Sequence, residues 1–120
     1  VIWHQGESDF IFKTPMEDYK LSFQSLIKTL RPNNGKMPPV YYAVATRCDG
    51  DHWYPNNPIS IVQRTLASKE NIFLATDTDT LVLPNERMDP GLCHFQAAGQ
   101  MKTAYAFAQS IIKNKSLYDK

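Results

Sequence analysis

The chain has 120 residues, 42% hydrophobic, 12% aromatic and 21% charged, with a formal net charge of +1 and two Cys. Its aromatic and aliphatic content excludes a disordered chain, and no stretch approaches the roughly 18 uninterrupted apolar residues of a membrane helix. Near-neutrality gives no electrostatic reason to expect nucleic acid as a partner.

In chain order, Val1 to His4 is a short apolar run ending in a Gly-containing turn, a buried-strand pattern. Thr14, Pro15 and Glu17 have the spacing of a capping box with Pro at the first helical position. Behind them Met16, Tyr19, Phe23, Leu26, Ile27 and Leu30 form one helical face. Arg31-Pro32 and Asn33-Asn34-Gly35 are expected to stop that helix. Val40 to Thr46 reads as a second strand, followed by a polar loop over Arg47 to Asn57. Asn57-Pro58 opens a second helix running to Lys69-Glu70, with Ile59, Val62 and Leu66 inward and Gln63-Arg64 facing solvent or pairing locally. Ile72 to Ala75 is the third strand, Thr76 to Cys93 a long loop, and Phe95 to Lys113 the last helix. The expected inner face of that helix is Ala97, Met101, Ala104, Tyr105, Ala108, Ile111 and Ile112.

Alternating strands and helices imply an α/β fold with a parallel sheet covered on both faces. Three strands are fewer than the ~5 usual for such sheets, and the chain starts on an apolar run without Met. The expectation is therefore part of a larger domain. Ligands of open parallel sheets sit beyond the carboxyl ends of the strands. Those ends lead into Gln5 to Lys13, Arg47 to Asn57 and Thr76 to Cys93, where the reactive residue types gather.

The first of these loops reads Trp3-His4-Gln5-Gly6-Glu7-Ser8-Asp9, and the last ends Asp89-Pro90-Gly91-Leu92-Cys93-His94-Phe95, with Gly99 five residues past the His. Together they resemble the SGNH-hydrolase superfamily, in its sialate O-acetylesterase and carbohydrate acetylesterase branch. The matching blocks are W-x-Q-G-E-S/N-D after a central strand and a D-G-x-H-F-like block before the final helix. The resemblance spans essentially the whole chain, as the C-terminal half of the family's catalytic domain. It implies a three-layer α/β/α flavodoxin-like fold and hydrolysis of O-acetyl esters on carbohydrate, with no metal or organic cofactor. It makes His94 the general base and the Gln5 amide an oxyanion donor, with Gly6 and Glu7 in the same block. The nucleophilic Ser of the family lies in a G-D-S or G-Q-S-N block, expected upstream of Val1. A secreted or periplasmic location would follow from the family's usual carbohydrate role; the sequence itself does not set the compartment.

The family's acid lies three residues before the His, where this chain has Gly91. The nearest carboxylate is Asp89, which a looped-out Pro90-Gly91 would bring to the imidazole; Asp77 and Asp79 are the substitutes. Ser8 after Gly6-Glu7 imitates a G-D-S turn and offers a self-contained esterase as an alternative. A carbohydrate-binding module without catalysis is another, supported by Gly91. Trp53 and Tyr54 are candidates for a sugar-stacking platform. Asp49, Asp51 and His52 lack the ligand number of a calcium loop, and no zinc motif is present, so no metal is expected. Cys93 reads as a buried small hydrophobe rather than a thiol nucleophile. Cys48 and Cys93 are too few for a disulfide framework, so one bridge and two free thiols both stand open.

Overall fold

A computed structural model describes residues 1–31 and 35–118. A parallel sheet in the order β1–β2–β3 is built from Ile2–Trp3, Val40–Val44 and Ile72–Asp77. All five residues of β2 are buried, as a central parallel strand covered on both faces requires. The period of two sorts them between two cores. Val40 and Tyr42 join Tyr19, Phe23 and Ile27 of α2 (Met16–Leu30) and Ile59 and Val62 of α3 (Pro58–Gln63). Tyr41 and Ala43 face the other way, against Phe107 and Ile111 of α5 (Ala97–Tyr118). The chain is thus α/β, with helices on both faces of the sheet. Among the described residues, no helix is long and apolar enough to cross a membrane.

Several local expectations are corrected. The first loop contains a helix, α1 (Glu7–Ile11). Thr14 does not cap α2; its hydroxyl donates to Asp9 Oδ1 at 2.8 Å, a charged acceptor supplied by α1, and Pro15 occupies the cap position without a side-chain bond. Met16 is exposed, whereas Tyr19, Phe23 and Ile27 carry the buried face of α2. The helix ends at Leu30, and Pro32, Asn33 and Asn34, the expected stop, lie outside the described residues. The α3 helix stops at Gln63, and the chain instead turns into β3 through an antiparallel bridge between Ser68 and Ile72. The long third loop contains α4 (Thr78–Leu81), a 3-10 turn at Pro84–Glu86, and an antiparallel ribbon of β4 (Arg87–Met88) and β5 (His94–Phe95).

The face of α5 is also corrected. Met101, Tyr105 and Ile112 are exposed, while Gly99 and Phe107 are buried. The helix carries small or apolar residues on more than one stripe, so periodicity does not choose which stripe meets the sheet. Gly99 helps choose it: a Cβ there would lie 2.7 Å from Val82 Cγ1 and 2.8 Å from the Glu86 carbonyl oxygen, so only glycine allows this approach.

Gln63, expected at the surface, is 1% exposed and joins three elements. Its Oε1 accepts Ala45 N–H at 3.0 Å, and its Nε2 donates to the Gln5 carbonyl at 2.7 Å and the Tyr19 hydroxyl at 2.9 Å. Its own carbonyl accepts the Tyr42 hydroxyl at 2.6 Å. A buried amide is retained only when so satisfied. Gly6 lies against the same amide with φ of +154°, and a Cβ there would overlap the Ala45 carbonyl oxygen and Gln63 Nε2.

Gly6→Ala is therefore expected to destabilise the chain by about 3 kcal/mol through overpacking and backbone strain, read from urea unfolding. Burial also raises the Tyr42 phenol from 10.0 to about 12. Its contribution to stability is complete below the unfolded value and disappears as pH rises toward the folded one. Tyr42→Phe should flatten that alkaline loss in the same unfolding series.

Candidate active site

The sheet's carboxyl edge leaves backbone groups with no ladder partner, and buried side chains satisfy them. At the end of β2, Asp79 is 3% exposed. Its Oδ1 accepts Thr46 N–H and Arg47 N–H, each at 2.7 Å, and its Oδ2 accepts the Thr46 hydroxyl at 2.6 Å. Asp77 caps α4 by accepting Asp79 N–H at 3.0 Å and pairs with Arg64 at 3.2 Å. These commitments take both substitute acids away from His94.

Arg87 performs the corresponding task for the ribbon. The residue is 4% exposed, and its guanidinium donates to the carbonyls of Val82 (3.0 Å), Thr78 (2.6 Å), Leu92 (3.0 Å) and Arg47 (3.4 Å). It lies 4.9 Å from the Phe95 ring centroid. Burial, and after it the charge of Arg47, lowers its pKa, with Asp79 acting in the opposite sense. Nothing in the local pattern marks Arg87 as buried; its position at the head of the Asp89–His94 block is the available signal.

Between β4 and β5 the chain reverses through Asp89 (φ +65°) and Leu92 (φ +58°). The extra Pro90-Gly91 is accommodated in this turn, which brings Asp89 back to the imidazole. Asp89 Oδ2 accepts His94 Nδ1–H at 2.5 Å, and Oδ1 accepts Cys93 N–H at 3.1 Å. The His94 bond outweighs the opposing effect of desolvation and, helped by the Cys93 N–H and the imidazole charge, holds the Asp89 carboxyl below the ordinary carboxylate range. With Nδ1 so engaged, His94 Nε2 is on the open side of an imidazole that is 77% exposed. His94 lines a cleft of about 580 Å³ whose other lining residues are His4, Glu7, Met88, Cys93, Phe95 and Gln100. His4 packs edge-on against Phe95 and meets the Thr78 hydroxyl at 3.2 Å; its strand-end position was legible, its place beside His94 was not.

The remaining candidates are distributed as follows. Glu7 lines the His94 cleft, whereas Gln5 lines another pocket with Trp3, Asp9 and Tyr19. One amide N–H of Gln5 is taken by Asp9 Oδ2 at 2.5 Å. Gly6 is buried beneath the loop. Ser8 is exposed on α1 and does not line the cleft, which contains no Ser among the described residues. Trp53 and Tyr54 have different surroundings. Trp53 Nε1 donates to the Thr46 hydroxyl at 3.0 Å and its ring lies 4.6 Å from the Arg47 guanidinium. Tyr54 is half-exposed, edge-on to Phe10, in a separate groove of about 770 Å³. Cys93 is neither a free thiol nor an isolated hydrophobe, since it is bridged to Cys48. Among the described residues, no group of three or more His, Cys, Asp or Glu is placed to hold a metal ion.

The arrangement can hold an imidazole in one tautomer and present its Nε2 to a proton in the cleft. The model of the family described as carbohydrate esterase, sialic acid-specific acetylesterase, matches residues 1–113. No curated protein and no solved structure matches the chain.

Because the His94 bond depresses the Asp89 carboxyl, the pair is intact above the ordinary carboxylate range and is lost as pH falls through the folded value. In a carboxylate NMR titration Asp89 should have a midpoint below that of an exposed aspartate, and His94→Ala should move it upward.

Proposed function

Since the chain belongs to the sialic acid-specific acetylesterase family of carbohydrate esterases, we propose that it supplies the His-Asp half of a Ser-His-Asp site that hydrolyses O-acetyl esters on carbohydrate. The contact between Asp89 Oδ2 and His94 Nδ1 carries this reading. It also favours catalysis over a binding-only module, whose support was the missing acid at Gly91. The fold proposed for the complete domain is the flavodoxin-like SGNH sheet.

The nucleophilic Ser is assigned to a segment outside these 120 residues, because the His94 cleft contains none among the described residues. β1 is an edge strand, so a further parallel strand carrying that Ser can pair along it. In the first half-reaction His94 Nε2 takes the Ser Oγ proton as Oγ attacks the acetyl carbonyl. Asp89 keeps Nδ1 protonated and stabilises the imidazolium. The oxyanion is assigned to backbone N–H donors at the cleft; Gln5, which lines another pocket and gives one amide N–H to Asp9, is not given this role. His94 then returns the proton to the departing sugar hydroxyl. In the second half-reaction it activates water to release acetate and restore Ser. Glu7, at the cleft wall, is assigned to the carbohydrate, and Tyr54, in its separate groove, to a more distant part of the same substrate.

The isolated 120-residue chain is expected to hydrolyse p-nitrophenyl acetate no faster than the same concentration of imidazole. Faster turnover that disappears in His94→Ala would show a self-contained site and overturn the assignment of Ser to another segment. In a polypeptide that includes an upstream G-D-S or G-Q-S-N block, His94→Ala should cost about 10⁴-fold in kcat. An unchanged rate there would remove His94 from the mechanism.

A further inference from the structure

His94 is held by its chain neighbours more than by its own contacts. The imidazole is 77% exposed and is bonded through Nδ1 to Asp89, itself in the same short turn. That turn is joined to the loop after β2 at three places: the Cys48–Cys93 disulfide, Gly50 N–H on the Gly91 carbonyl at 3.0 Å, and Arg87 bridging the Leu92 and Arg47 carbonyls. The two ends of the bridge differ. Cys48 is 6% exposed and follows Thr46 and Arg47, whose N–H groups are fixed by buried Asp79. Cys93 is partly exposed, lines the cleft, precedes His94 and donates its backbone N–H to Asp89. The bridge thus joins a buried, hydrogen-bonded part of the fold to the residue between the two halves of the Asp89–His94 pair.

We propose that Cys48–Cys93 is a redox-operated positioning device for His94: oxidised, it holds the imidazole against Asp89 at the cleft; reduced, it releases the 89–94 turn and disarms the site. The reductant is a protein or small-molecule dithiol. Its thiolate attacks the accessible Sγ of Cys93, the Cys48 thiolate leaves, and the second thiol of the reductant resolves the mixed disulfide. Two electrons and two protons pass from the dithiol, which becomes a disulfide, to give the Cys48 and Cys93 thiols. The importance of the device for catalysis rests on the esterase reading above; its effect on the turn does not.

The first test therefore needs no activity. In the oxidised 120-residue chain, ¹⁵N–¹H NMR should show a hydrogen-bonded His94 Nδ1–H, and ¹³C carboxylate NMR a depressed Asp89 titration. Dithiothreitol, or the Cys48→Ser/Cys93→Ser pair, should abolish both signatures while the far-UV circular dichroism stays unchanged. Signatures that survive reduction would overturn the proposal, because Gly50 and Arg87 would then suffice to hold the turn. Global loss of helical signal would overturn it as well, by making the bridge a general staple. The second test is esterolysis by a polypeptide that includes the upstream Ser block. Reduction should lower kcat by about 100-fold, the cost of a misplaced base, with recovery on reoxidation. A reduced enzyme at full rate would overturn the device. An oxidised enzyme with no esterase activity would instead count against the esterase reading, leaving the NMR result to decide the device.

Discussion

The buried guanidinium of Arg87 is the constraint on which the site depends. A cation with 4% exposure must surround itself with acceptors. Arg87 does so with carbonyls from Thr78, Val82, Leu92 and Arg47, which belong to α4, the segment after it, the 89–94 turn and the loop after β2. Satisfying one charge therefore brings four stretches of backbone into a single arrangement. The ribbon pairing of Arg87 with Phe95 and of Met88 with His94 follows from the same placement, and the imidazole is carried to the cleft by it.

The sheet solves a more general problem with similar means. A parallel sheet ends at its carboxyl edge in unpaired backbone groups, and this edge is also where chemistry is placed. Asp79 satisfies the start of the loop after β2, and Gln63 satisfies Ala45 while binding the Gln5 carbonyl. These polar groups are buried because they replace a ladder, and in doing so they make the loops stiff enough to carry a site. The exposed groups, His94 and Tyr54, stand on that support.

The disulfide adds a covalent connection where the hydrogen-bonded support is thinnest. The side-chain hydrogen bonds of Asp89 run to His94 and to Cys93 N–H, all within the turn, so the orientation of the pair is inherited from the turn. The left-handed conformations at Asp89 and Leu92 shape that turn, and the bond from Asp89 to Cys93 N–H closes it. Asp89, five residues before His94, thus still reaches its imidazole, because the turn reverses the chain rather than extending it.

Much of this was legible in the sequence, and for identifiable reasons. Apolar runs such as VYYAV, the Tyr19–Phe23–Ile27 spacing and the Asn57-Pro58 start report contacts between near neighbours, and they determined the alternating elements and the parallel sheet. The W-H-Q-G-E-S-D block and the His94 segment determined the family and singled out the histidine. Thr14, Gln63 and the face of α5 were misread because each depends on a partner from another element: Asp9, the Ala45–Gln5 junction, and the Val82–Glu86 wall against Gly99. Only the tertiary structure decided that Cys48 meets Cys93 across 45 residues, that Asp89 rather than Asp77 or Asp79 reaches His94, and that Gln5 and His94 line separate pockets. Local periodicity records which residues want burial; which of them meet is set by long-range packing and by the hydrogen bonds that buried polar groups must find.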